Sequence, residues 1–285
     1  MSMNINWYPG HMKKTKDSIR ENLKLVNIVF ELIDARIPFS SSNPLLQDIL
    51  GDKPKIKIIN KYDLANPDKT KQWQNYFESH GESTVLVNAA SGHGVKELKK
   101  MAKEIMRPQF EKAKERGIQS TTIKAMIVGV PNVGKSTLIN NLAGKKSLKT
   151  GNKPGITRQN QWLRVEKSFQ LLDTPGILWP KFETEDIALN LAFTAAIKDE
   201  ILDTETLALR LIEKLNRIDK NILINRYNIA EYENGLDSME AIARKRGAIL
   251  RGAEIDYTKT ANIVLDEFRK GILGNITLED VNDVL

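Results

Sequence analysis

Short apolar runs recur through the first two-thirds of the chain, at residues 26–33 (VNIVFELI), 55–59, 84–87, 123–128 and 169–172. Each is β-branched or apolar and bounded by polar or turn residues, the pattern of a strand buried on both faces. Residues 161–165 alternate apolar with polar and precede 169–172 by a short polar turn, which predicts an antiparallel pair. Between the runs, 67–79 and 95–106 carry amphipathic helical spacing. Such alternation predicts an α/β fold, a mostly parallel sheet with helices on both faces.

The pattern changes near Trp179 and Pro180. From residue 185 onward no strand is evident, and 187–201, 204–218, 236–249 and 258–270 show helical spacing with Asp, Thr or Ser near the starts. Two domains follow, 1–180 and a small all-α unit at 181–285, as 285 residues would suggest. The charged stretch 106–122, with Pro108 and Gly117, is expected to link two strand–helix blocks.

Composition removes several chemistries. There is no cysteine, hence no disulfide framework, thiolate zinc site, iron–sulfur cluster or cysteine nucleophile. Three histidines leave little material for a histidine-rich metal site. Lys+Arg 43 against Asp+Glu 36 gives +7, a surplus that favours polyanionic partners, nucleic acid before membrane. No apolar run approaches the roughly 20 residues that span a bilayer, and residues 1–14 hold no apolar signal core. A cytoplasmic protein with no membrane association is expected.

Gly129-Val130-Pro131-Asn132-Val133-Gly134-Lys135-Ser136 follows the run 123–128, and Thr137 opens the helical stretch 137–143. This is Gly-x4-Gly-Lys-Ser/Thr between a strand and a helix, a phosphate-cradling loop. Its backbone N–H groups point inward at a phosphate and the helix N-terminus adds positive potential. Lys135 is expected to neutralise the β- and γ-phosphates and Ser136 to bind Mg²⁺. Asp173-Thr174-Pro175-Gly176 ends the run 169–172. Asp173 can hold Mg²⁺ through water and the Gly176 N–H can meet the γ-phosphate. Thr157 can complete the Mg²⁺ shell, or is a solvent-exposed loop threonine.

Asn60-Lys61-Tyr62-Asp63 follows the run 55–59, and Asn88-Ala89-Ala90 follows 84–87. The Asp63 carboxylate can accept from guanine N1–H and the 2-amino group, a pattern adenine lacks. Lys61 can lie along the base, and a backbone N–H of the second loop can meet guanine O6. These residues resemble the translation-factor-related GTPases, but the base motifs come before the phosphate loop. One complete site therefore requires a circular permutation, which is feasible because domain termini often lie close together.

The resemblance narrows with Trp7-Tyr-Pro-Gly-His-Met12, Asp34-Ala-Arg-Ile-Pro38, the permuted order, Asp173-Thr-Pro-Gly-Ile-Leu-Trp-Pro180, and Glu254-Ile-Asp-Tyr257 with Gly271-Ile-Leu-Gly274 in a helical tail. Together they resemble the ribosome biogenesis GTPase A family along essentially the whole chain. That resemblance implies GTP hydrolysis to GDP, binding to ribosomal RNA of the large ribosomal subunit precursor, and action late in its maturation; a monomer off the ribosome is expected.

The position after Gly176, where many GTPases carry a water-orienting Gln, is Ile177, so intrinsic hydrolysis is expected to be slow, on the order of 10⁻⁴ s⁻¹. The family's Pro-Gly-His-Met motif makes His11 a catalytic candidate; the alternatives are a helix-capping or packing role, or an RNA contact. Potassium-activated relatives imply a K⁺ ligand at Asn132; otherwise it is an ordinary loop asparagine. Lys145, Lys146, Lys149, Lys153, Arg158 and Arg164 form one basic run, and Arg244, Lys245, Arg246 with Arg251 a second. Both suit phosphate-backbone contacts without base readout, or are solvated faces. The competing function is an RNA-binding scaffold that holds GTP as a ligand with negligible turnover.

Overall fold

In a computed structural model, residues 12–118, 122–144, 161–174, 182–199 and 202–283 are described. His11, Thr157, Gly176 and Ile177, and the basic run up to Arg158, lie outside these described residues.

Six strands form one sheet in the order β3-β2-β1-β4-β6-β5. They are β1 Ile28–Asp34, β2 Lys55–Asn60, β3 Ser83–Val87, β4 Ile123–Gly129, β5 Gln161–Glu166 and β6 Phe169–Asp173. All neighbours run parallel except β5 against β6, the predicted hairpin. Every residue of β1 is buried, as expected of the strand that both halves of the sheet share. β1 pairs with β2 on one side and β4 on the other, so the chain order reverses direction there. In open α/β sheets the crevice at such a switch point, outside the carboxyl ends of the strands, is where ligands bind.

The helices are α1 Met12–Leu23, α2 Pro44–Leu50, α3 Pro67–Ser79, α4 Val95–Glu115 and α5 Lys135–Leu142, then α6 Glu185–Phe193, α7 Thr204–Ile218, α8 Asn221–Tyr227, α9 Gly235–Arg246 and α10 Tyr257–Arg269. Caps fix several starts: Asn66, with Pro67 behind it, accepts from the Lys69 N–H, and Asp256 accepts from the Lys259 N–H.

Two expectations are corrected. The helical stretch expected over 187–201 ends at Phe193, and Ala195 just beyond it sits at φ 60°. The stretch 106–122 is not a linker through its length, because α4 continues past Pro108 to Glu115. Ala102 and Met106 are buried and Phe110 packs partly against the same core, so the i, i+4 apolar stripe crosses the proline. That burial offsets the lost backbone hydrogen bond. The helix stops at Arg116, followed by Gly117 at φ 78°.

The tail helices pack on the sheet through one continuous apolar cluster that runs from Phe30 and Leu32 to Phe193, Leu211 and Phe268. We keep the division at 180/181 as a proposal about organisation.

Candidate functional site

The loops after β2, β3 and β4 converge at the switch point. A cavity of about 230 Å³ there is lined by Asn60, Lys61 and Asp63, by Asn88, Ala89 and Ala90, and by Asn132, Gly134 and Thr137. Residues that stand up to 77 positions apart in the chain, from Asn60 to Thr137, thus share one wall. The permuted order is no obstacle in space.

Side-chain bonds lock the base loops to the phosphate loop. The Asn60 side chain donates to the Val133 carbonyl (2.7 Å) and accepts from the Ala89 N–H (2.9 Å). Lys61 Nζ donates to the Asn132 carbonyl (2.8 Å) and to the Asp34 carboxylate (3.0 Å). Gly134, which caps α5 at φ 106°, must be glycine, because a Cβ there would sit 2.4 Å from Asn60 Nδ2. Ala90 N–H bonds the Asn88 side chain at 2.9 Å in an exposed turn. The buried Ala89 N–H is committed to Asn60, so Ala90 is the backbone donor of this loop that can be shared with a base.

Lys135 is buried at the first turn of α5, and its Nζ donates to the Gly129 and Val130 carbonyls at 3.0 and 2.9 Å. Burial pushes its ammonium down to about 8, with the nearby Asp173 carboxylate opposing. Asp173 ends β6 fully buried, while Thr174 Oγ1 donates to the Ile127 carbonyl at 2.6 Å. Pro131 and Val133 are buried too, so their backbones, not their side chains, are what they can offer a phosphate.

The lysine has a pH consequence. A phosphate favours the charged ammonium, so above about pH 8 binding must take up a proton. Nucleotide affinity is therefore expected to hold below pH 8 and fall by up to about tenfold per unit above it. Calorimetry between about pH 7 and 9, below the loss of the guanine N1 proton, in buffers of different ionisation enthalpy, reads both the fall and the uptake. A flat affinity across that range would contradict it.

A divalent cation fits the donor set. The Ser136 hydroxyl and the Asp173 carboxylate are hard oxygen ligands at adjacent strand and helix ends, suited to Mg²⁺ that keeps waters and phosphate oxygens as its other ligands. Among the described residues no group of three or more His, Cys, Asp or Glu could hold a metal without such help.

Two features were not read from the sequence. The Asp34 carboxyl is buried and would be raised by that burial, yet the Arg36 and Lys61 charges hold it well below the usual carboxylate range. Arg36 grips it through Nε (2.9 Å) and Nη2 (2.7 Å). Asp34-Ala-Arg36 is thus a charged bracket behind Lys61. The tail also reaches the cavity: Thr194, Ala195 and Arg269 line it, and the Asn132 side chain donates to the Ala195 carbonyl at 2.7 Å.

A chain 45% identical over 278 residues, covering 97% of this chain and 99% of its own length, is Ribosome biogenesis GTPase A of Bacillus pumilus. This chain belongs to the ribosome biogenesis GTPase A family. With the family comes the enzyme class, a GTPase. The family model described as 50S ribosome-binding GTPase matches residues 124–237. That match starts in β4 and leaves Asn60–Asp63 upstream, as the permuted order requires. The chain is also similar to Mitochondrial ribosome-associated GTPase 1 of Mus musculus, 33% identical over 96% of this chain and 89% of that one. Among solved structures it is similar to GNP-bound YlqF from T. maritima, 27% identical with a TM-score of 0.64, covering 94% of this chain and 98% of that one.

Proposed function

We propose that this GTPase binds ribosomal RNA of the large-subunit precursor in its GTP state, hydrolyses GTP when the subunit stimulates it, and leaves on hydrolysis late in maturation. The observation that carries the reading is the single cavity where Asp63, Ala90 and the phosphate loop meet. Asp63 reads the guanine edge, Ala90 N–H meets O6, and Lys61, held by Asp34, backs the base. Gly134, Lys135 and Thr137, with the N–H groups of the loop 130–134, take the phosphates. Ser136, Thr157 and Asp173 hold Mg²⁺, which supplies charge neutralisation at the β- and γ-phosphates. Gly176 senses the γ-phosphate.

RNA contact falls to basic side chains, but the α9 cluster is smaller than its sequence suggests. Arg246 pairs with Glu267 at 2.6 Å and lies 5.1 Å from the Tyr227 ring, and Arg244 pairs with Glu240 at 3.3 Å. Arg246 is therefore a packing residue, and we assign RNA contact to Lys245 and Arg251. The names of the B. pumilus and mouse relatives, and the 50S ribosome-binding family description, support a large-subunit partner. Among the described residues no helix is long and apolar enough to cross a membrane. We place the chain in the cytoplasm and as a monomer off the ribosome.

We extend the reading to a K⁺ ion beside Asn132, whose charge would do an arginine finger's work at the β/γ bridge. The testing experiment measures GTP turnover with and without purified large subunits, in potassium and in sodium. Turnover is expected to rise well above the intrinsic rate with subunits, and to be faster in potassium, with Asn132→Ala removing the ion difference. Turnover unmoved by subunits would favour the scaffold; an unchanged ion ratio in Asn132→Ala would remove the potassium site.

A further inference from the structure

After α10 the chain runs through residues 271–280 without regular structure, and this segment lies across the loops that follow β1 and β2. Ile276 N–H donates to the Leu64 carbonyl at 3.0 Å, and the Asn66 N–H donates to Thr277 Oγ1 at 3.1 Å. One residue on, the Leu278 N–H donates to the Arg36 carbonyl at 2.8 Å. Glu279 then accepts from the Phe39 N–H at 2.7 Å and the Asn190 side chain at 2.9 Å. Its own carbonyl receives Trp73 Nε1 at 3.3 Å. Thr277 is 1% exposed.

These contacts surround Asp63 from behind. Lys61 before Asp63, and Leu64 and Asn66 after it, anchor the loop that brings Asp63 to the cavity, and Arg36 is the grip on Asp34, which holds Lys61. The loop's own sheet offers no partner for the Leu64 carbonyl or the Asn66 N–H, since β2 has ended at Asn60. Gly271, at φ 72°, lets the chain turn against Leu64; a Cβ there would lie 2.8 Å from Leu64 Cδ2. No residue from 272 to 280 lines the nucleotide cavity.

We infer that residues 276–279 are a positioning strap for guanine recognition, in which Thr277 acts through Asn66, and Ile276 through Leu64, to aim Asp63 at the base. The inference rests on the guanine site proposed above. A loop fixed at both ends presents its carboxylate in one orientation, and two hydrogen bonds to one base edge require that orientation. Release of the strap costs selectivity rather than chemistry at the phosphates.

The readout is the ratio of GDP to IDP affinity, because hypoxanthine lacks the 2-amino group that Asp63 also binds. The unaltered chain is expected to prefer GDP by about 10–100-fold, the range of one charge-assisted hydrogen bond. Thr277→Val keeps the volume and removes both the acceptor for Asn66 and the hydroxyl that donates to the Ala35 carbonyl at 3.4 Å. It is expected to weaken GDP about tenfold and bring the ratio towards one, with the turnover number at saturating GTP within about twofold of the original. Thr277→Ser keeps the hydroxyl and is expected to restore both values. A full GDP preference in Thr277→Val, even with lowered melting temperature, would overturn the strap while leaving the guanine site standing. A ratio near one in the unaltered chain would overturn the site reading and the strap with it. Should Thr277→Val not fold, hydrogen exchange on the unaltered full chain decides. GDP is expected to protect the Ile276 and Leu278 amides together with residues 60–66, and protection of 60–66 alone would overturn the strap.

Discussion

Asp63→Asn is expected to weaken GTP binding by about 10⁴-fold and to improve xanthosine triphosphate binding in compensation. The carboxylate is acceptor-only, and guanine presents two donors to it, N1–H and the 2-amino group. An amide in its place sets a donor against the guanine 2-amino group, and the same donor matches the 2-oxo group of xanthine. The fold is expected to survive, since Asp63 is exposed and lines the cavity. Competition binding with the four nucleoside triphosphates and xanthosine triphosphate reads the exchange. Unchanged GTP affinity in Asp63→Asn would remove the base assignment and, with it, the reading of the cavity as one permuted site.

His11→Ala is expected to lower subunit-stimulated hydrolysis by about 10²–10⁴-fold if the imidazole acts as general base, and by less if it only positions water. The need for such a group follows from Ile177, which cannot hydrogen-bond the attacking water at the place where many GTPases carry Gln. GTP affinity is expected to change little, because the loss falls on the transition state. A titration of rate against subunit concentration separates the roles. A lowered plateau supports catalysis, whereas a shifted midpoint with full recovery at saturation supports an RNA contact.

The strands were legible because each is buried on both faces, and a continuous β-branched run has few other homes. All six strands differ from the sequence expectation only at their ends. The two short helices α2 and α8, seven residues each, escaped because two turns are too few to display a 3.6-residue period. Pro108 misled in the other direction: a local rule marked a break, and packing of Phe110 overrode it. In the site, the motif residues stand out in the sequence because phosphate and guanine binding call for particular residue types, and the structure brings Asn60, Asp63, Asn88, Ala90, Asn132 and Gly134 to one cavity. What those residues bond to was not. Asn60 to Val133, Asn132 to Ala195 and Thr277 to Asn66 are pairings across 63 to 211 positions, which no local pattern encodes. The Asp34–Arg36 bracket carried the family resemblance in sequence, but its purpose emerges only with Lys61 beside it.

These links also bear on how hydrolysis could reach the ribosome. The tail closes the nucleotide cavity through Ala195 and Arg269, and Arg269 is fixed to Asp199 by two bonds of 2.7 and 2.8 Å. In the proposed function, the wall shared by the loop 129–136 and the helical tail would be the route by which nucleotide state shifts the tail's position, a hypothesis from contact alone.

The most direct test of GTP-timed release is retention of the full chain on purified large subunits, measured by co-sedimentation with a non-hydrolysable GTP analogue, with GDP and without nucleotide. The account predicts strong retention with the analogue and weak retention with GDP. Equal retention in all three conditions would contradict it.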